Sequence, residues 1–145
     1  MWYLEMLISL CIIGVLGTGI YYADAARERY EVDCETLRLV NVLTEVQERS
    51  RRHKYTSDER FLPSCHIYED KYIIRRTIDD KGETYYLQNG VKIDLMGHSG
   101  FFYLFKQNSL YGNTANKTLK VYKNNSSKYI AISRIGRIRV YNIKS

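Results

Sequence analysis

A chain of 145 residues with 45% hydrophobic content can build one compact domain beside a separate apolar segment, and no solenoid repeat or low-complexity tract is visible in it. Lys and Arg outnumber Asp and Glu by 22 to 16. The resulting net charge of +6 suits anionic partners such as DNA, acidic wall polymers or acidic neighbouring subunits, without selecting among them.

The first 23 residues, MWYLEMLISLCIIGVLGTGIYYA, carry one charge, Glu5. The uncharged stretch from Met6 to Ala23 is 18 residues, about the minimum for a spanning helix. A carboxylate in such a helix costs roughly 2.5–3.5 kcal/mol at mid-bilayer, so it marks a functional position unless it reaches the interface from near the segment's end. A secretory signal peptide would need a basic n-region, and no Lys or Arg precedes Arg27. Arg27 and Arg29 follow the span, which read alone places the remainder inside the cell. A cleaved basic leader would reverse that orientation.

Residues 1 to about 52 read as one helix without proline, roughly 75 Å long. In its charged half Tyr30, Cys34, Leu37, Val40 and Leu43 recur at spacings of three and four and predict one apolar face. Arg49, Arg51, Arg52, His53 and Lys54 form a basic end that suits the helix macrodipole. Residues 55–71 read as a loop containing Pro63, the one proline of the chain.

Strand signals follow. Tyr72 to Ile78 and Glu83 to Gln88 predict a hairpin around Asp79-Asp80-Lys81-Gly82, and Asn89-Gly90 predicts a tight turn. Val91 to Leu95 alternates with period two, and Phe101 to Phe105 predicts a buried aromatic strand before a polar loop over 106–116. Lys117 to Lys123, Tyr129 to Arg134 and Arg137 to Ile143 predict a three-stranded meander, with a turn at Asn124 to Lys128. The expected fold is α+β: a long N-terminal helix, its first half (1–23) transmembrane, its second half packed on an antiparallel β-sheet within a globular domain over 24–145.

The run from Leu4 to Leu16, with Glu5 fifth from the first residue and small residues at Ser9 and Gly14, resembles the N-terminus of type IV pilins and pseudopilins. The usual Phe-Thr-Leu opening is replaced by Met1-Trp2-Tyr3. The family's short basic leader ending in Gly does not precede Met1, so the sequence corresponds either to the processed form or to a start placed elsewhere. A second resemblance spans Thr118 to Val140, where the run ending in Gly136-Arg137-Ile138-Arg139 is similar to the final strands of the GspH/FimT minor pilins.

These resemblances imply a pilin-like fold and an assembly role in a type IV pilus, type II secretion or competence filament. They imply processing and N-terminal methylation by a prepilin peptidase, and an assembly platform in the cytoplasmic membrane. The globular domain would lie outside that membrane and, after assembly, in an extracellular or periplasmic filament. Glu5 would pair with the terminal ammonium of Met1 on a neighbouring subunit. Some FimT-type proteins resemble DNA receptors, which gives Arg134, Arg137, Arg139 and Tyr141 as DNA-contacting candidates. Arg137, Arg139 and Tyr141 alternate along one strand face, with Ile138 and Val140 toward the core; the alternative is a solvated edge-strand face. A major pilin, or an unrelated single-pass membrane protein, stays open.

Catalytic chemistry finds no support in the sequence, and no cofactor is expected. His53, His66 and His98 are scattered, Cys65-His66 with a distant Cys34 is too thin for zinc, and Asp79-Asp80 lacks a metal-loop pattern. Cys11 reads as a packing residue, whereas Cys34 and Cys65 are candidates for a disulfide in an oxidising compartment. Asn116-Lys117-Thr118 and Asn124-Asn125-Ser126 match the glycosylation sequon, a pattern common by chance in Asn-rich loops.

Overall fold

The computed structural model describes residues 2–52, 62–77, 79–97, 101–106, 109–110, 117–133 and 135–142, with the side chains of 101–106 and 109–110 left aside. One helix, α1, runs from Trp2 to Arg52. At 1.5 Å per residue its 51 residues extend about 77 Å. Among the described residues nine strands follow: β1 (Ser64–Ile67), β2 (Lys71–Arg75), β3 (Glu83–Tyr86), β4 (Lys92–Asp94), β5 (Phe101–Lys106), β6 (Ser109–Leu110), β7 (Lys117–Lys123), β8 (Ser126–Ile132) and β9 (Ile138–Tyr141).

The α+β arrangement expected from patterning is present, but the strands form two antiparallel sheets rather than one. The first has the order β3-β2-β1-β5-β6 and the second β4-β7-β8-β9. Asn89 and Gly90 have φ of 57° and 73°, so the tight turn forms. It acts as a corner that carries the chain from β3 in the first sheet to β4, which pairs with β7 in the second. The sheets are stitched there by a hydrogen bond from the Ile93 amide to the Glu69 carbonyl at 2.8 Å. The Lys92–Glu69 ion pair at 2.9 Å lies beside it.

Strand β1 lies inside the segment expected as a loop and pairs with both β2 and β5. Its sequence, Ser-Cys-His-Ile, carries little β-propensity; two flanking partners and the burial of Ser64, Cys65 and Ile67 make it a strand. β6 likewise falls within the expected polar loop. The turn between β7 and β8 is two residues, Asn124-Asn125, shorter than expected, with Asn124 at φ 45°, a conformation Asn tolerates. At the β2–β3 turn Gly82 has φ +76°, and a Cβ there would lie 2.7 Å from the Ile74 carbonyl oxygen, which fixes glycine at this point.

The helix divides in two. Its first half is exposed throughout, and no residue of its most apolar 18-residue window is buried. The second half sits against β7 and β8 of one sheet and β1 and β5 of the other. The buried face is Val32, Glu35, Thr36, Leu39, Leu43, Val46, Gln47 and Ser50, with Glu31 at its start. This corrects the expected apolar face: Leu43 is buried and Val40 partly so, but Tyr30, Cys34 and Leu37 point outward. Periodicity of apolar residues misled because about half of the true face is polar. The core joins Val32, Leu39, Leu43 and Val46 to Cys65, Ile67 and Tyr72 of the first sheet and to Ile93, Leu119, Val121, Ile130 and Ile132 of the second. Each fully buried aliphatic side chain contributes about 1.5–3 kcal/mol relative to exposure.

The polar part of the helix face is held by the tip of the β7–β8 hairpin. Glu31 accepts from Arg27 at 3.0 Å and from Lys123 at 2.5 Å, Asp33 pairs with Lys128 at 2.7 Å, and Glu28 accepts from Asn124 at 2.6 Å. Hydrogen bonds from Lys123 and Arg27 hold the Glu31 carboxyl below its ordinary range. One turn later, Glu35 accepts from Arg38 with one oxygen, while the other is buried without a partner. Burial therefore pushes the Glu35 carboxyl up, against the Arg38 charge.

The two carboxyls act on stability with opposite signs. A depressed folded pKa gives stability that is present above the ordinary value of 4.5 and lost as pH falls through the folded value. A raised one gives a penalty that appears as pH rises through the folded value. Urea unfolding of the detergent-solubilised chain should show Glu31→Gln destabilising at pH 7, with the effect fading below pH 4.5. Glu35→Gln should stabilise at pH 7, and its gain should shrink as pH falls from the raised folded value toward 4.5, a window above the one in which the Glu31 effect fades.

Candidate functional site

Two regions gather the residues that sequence singled out. The first is the start of α1. Glu5 shares a helix face with Trp2, Met6, Ser9, Leu10 and Ile13, which together line a shallow apolar groove. The other polar side chains of this segment bond back to their own helix: Ser9 Oγ donates to the Glu5 carbonyl at 2.8 Å, and Thr18 Oγ1 to the Val15 carbonyl at 2.9 Å. The Glu5 carboxylate has no hydrogen-bond or ion-pair partner among the described residues. Trp2, Tyr3, Leu4, Met6, Leu7, Ile8 and Leu10 around it are each more than half exposed. None of the other described residues covers that surface. Met1 lies outside the described residues.

The second region is the outer face of the β4-β7-β8-β9 sheet. Leu119, Val121, Ile130 and Ile132 point into the core, so the alternate residues Lys120, Tyr122, Tyr129 and Ala131 point away from it. Register places Lys120 opposite Tyr129, Tyr129 opposite Tyr141, and Ala131 opposite Arg139. Tyr129 and Tyr141 stack with centroids 5.6 Å apart, and the Lys120 ammonium lies 5.5 Å from the Tyr122 ring and 5.9 Å from the Tyr129 ring. Arg139 continues this face, with Asp94 opposite Lys120 as the acid among its register partners.

The Gly-Arg-Ile-Arg run splits between a turn and a strand. Gly136, at φ 81°, donates its amide to the Ser133 carbonyl at 2.8 Å, and the Arg137 amide donates to Ser133 Oγ at 2.9 Å. Arg137 thus precedes β9 instead of continuing its alternation; Arg137, Arg139 and Tyr141 are all exposed. Ile138 is partly buried against the core, whereas Val140, expected inside, is 40% exposed because β9 is an edge strand that the helix does not cover. Arg134 lies outside the described residues.

Sequence reasoning missed Lys120, Tyr122 and Tyr129 as members of this face. Their period-two spacing was visible, but the register that sets Tyr129 beside Tyr141 was not. It also missed Gln47, whose Nε2 donates to the Gly136 carbonyl at 3.0 Å and ties the arginine-bearing turn to the helix.

The two candidate disulfide cysteines stay apart. Cys34 is exposed on the outward side of α1, Cys65 is fully buried in β1, and both thiols are free, so the bridge weighed from sequence is not formed. Burial pushes the Cys65 thiol up to about 12, which leaves it inert at neutral pH. Desolvation, with the Arg75 charge, holds His66 below its ordinary value. Among the described residues no three His, Cys, Asp or Glu side chains converge as metal ligands.

Comparison with known proteins brings no match, whether with family models, with curated proteins or with solved structures.

Gln47→Ala should cost about 1–3 kcal/mol, since it leaves the buried Gly136 carbonyl without its donor. Thermal unfolding would measure the loss, and proteolysis after Arg137 should accelerate more than cleavage elsewhere.

Proposed function

We propose that this chain is a subunit of a type IV filament, a minor pilin or pseudopilin, and that its work is assembly. The observation that carries the reading is the division of one continuous helix. The same element that packs one face against two sheets from Val32 to Ser50 presents, from Trp2 to Ala23, an apolar surface with a single unpartnered carboxylate. Lipid covers that surface while the subunit waits in the membrane. The helices of neighbouring subunits replace lipid in the filament without any change in the subunit itself. In either apolar surrounding, ionised Glu5 needs a cation, and the ammonium of a neighbouring Met1 supplies one. Loss of either partner leaves the other as an uncompensated charge.

Glu5→Ala and Glu5→Leu should insert in the membrane like the parent and fail to enter sheared filaments. Immunoblots of membrane and filament fractions separate the two steps, and normal filament incorporation of either variant would refute the reading.

The outer sheet face favours a second role, nucleic-acid contact. Arg139 and Lys120 beside the Tyr122, Tyr129 and Tyr141 rings combine phosphate-binding charge with ring surface. Tyr129 already stacks on Tyr141, so the face offered to a base is the one Tyr141 turns toward the sheet edge. Mobility shifts with the full chain in detergent should show DNA binding that weakens with salt and is lost in Arg137→Ala/Arg139→Ala. Equal binding by the double variant would remove this role.

A further inference from the structure

The far end of the helix carries an unassigned cavity. Among the described residues, Arg49 and Arg52 of the last helical turn, Pro63 ahead of β1, and Arg76 just after β2 line a space of about 280 Å³. That volume is near the lower end of small-ligand sites. Three arginines therefore line one small volume from two separate elements. Arg49 shares its charge with Glu45, and Arg51 beside it with Glu48. Arg52 and Arg76 are exposed and have no ion-pair partner among the described residues. Asp79 and Asp80, in the turn that follows, are the acids nearest Arg76 in sequence, and neither is ion-paired with it.

The helix macrodipole accounts for cations in the last turn of α1. It does not account for Arg76, which a strand of the first sheet delivers to the same cavity. Like charges converging on one volume repel unless an anion sits between them, and planar guanidinium forks match the oxygens of a phosphate.

We propose that Arg49, Arg52 and Arg76 form a pocket for a phosphate group, either free or carried on a nucleic-acid backbone. A lipid headgroup is out of reach. Arg49 lies 26 residues beyond Ala23, or about 40 Å along the helix, several times the roughly 8 Å screening length of physiological salt. The site is separate from the outer sheet face and does not depend on the filament reading.

The test uses the full chain in detergent micelles at low salt. Inorganic phosphate and a short oligothymidylate, whose phosphates are all internal diesters, are titrated separately by calorimetry. The variants are Arg52→Gln/Arg76→Gln and, as a control with equal charge loss, Arg137→Gln/Arg139→Gln. The parent should bind at least one probe, and Arg52→Gln/Arg76→Gln should weaken that binding by at least roughly tenfold while the control keeps affinity for inorganic phosphate. Binding of inorganic phosphate assigns the pocket to a free phosphate; binding of the oligonucleotide alone, lost in Arg52→Gln/Arg76→Gln, assigns it to a backbone. Failure of both probes to bind the parent, or undiminished binding by Arg52→Gln/Arg76→Gln, overturns the proposal. Both substituted residues are exposed and unpartnered, and unchanged circular dichroism verifies that the variants fold.

Discussion

The packing of one helix face between two sheets is the constraint on which the rest of this protein depends. Among the described residues α1 is the one element that covers the sheets, and they in turn bury its Val32, Leu39, Leu43 and Val46. The buried helix face meets β1 and β5 of one sheet and β7 and β8 of the other. The Asn89-Gly90 corner carries the chain from one of these sheets to the other, and the Glu69–Ile93 stitch joins them there. The same packing sets the position of the arginine-bearing turn, because Gln47 on the buried face reaches Gly136.

The face is also chemically mixed, which gives it direction. An all-apolar stripe would allow the sheets to slide or rotate along the rod with little cost. Glu28, Glu31 and Asp33 meet Asn124, Lys123 and Lys128 at one end, and Gln47 meets the Gly136 carbonyl at the other. These contacts fix the register of the hairpin against the helix. Glu35 between them is the discordant member, a carboxyl with one oxygen held by Arg38 and the other buried and unpaired. Its position one turn from the well-paired Glu31 shows how steeply a local environment can differ along one helix face.

Much of this architecture was legible in the chain. The alternation of Val91 to Leu95 translates directly into buried and exposed positions, as does that of Leu119, Val121, Ile130 and Ile132. The length of α1 and its division into an apolar and a charged half also followed from composition. Three things were not legible, each for a physical reason. The buried helix face could not be picked out because Glu31, Glu35, Thr36, Gln47 and Ser50 belong to it, and the distant partners of Glu31 and Gln47, on β7 and in the turn before β9, lie about 90 residues away. Strand β1 is created by pairing on both sides and not by its own residues. The partition into two sheets depends on which strand β4 chooses, and a tight turn after β3 says nothing about that choice. Of the candidate site, Glu5, Arg139 and Tyr141 were readable one residue at a time, whereas the Lys120, Tyr122 and Tyr129 company of Tyr141 needed the register.

The continuity of α1 has a mechanical consequence. The β7–β8 tip grips the helix at Glu28, Glu31 and Asp33, within two to three turns of Ala23, and no proline interrupts the rod between the apolar half and the domain. The globular part therefore has no swivel of its own. Whatever holds the first half, lipid or neighbouring helices, dictates the attitude of the whole domain. With Arg52 about 45 Å beyond Ala23, a tilt of roughly 10° at the base sweeps the far end through about 8 Å. The molecule behaves as a rigid lever, in which a small reorientation of the anchored end is delivered, undiminished and enlarged, to the distal surface.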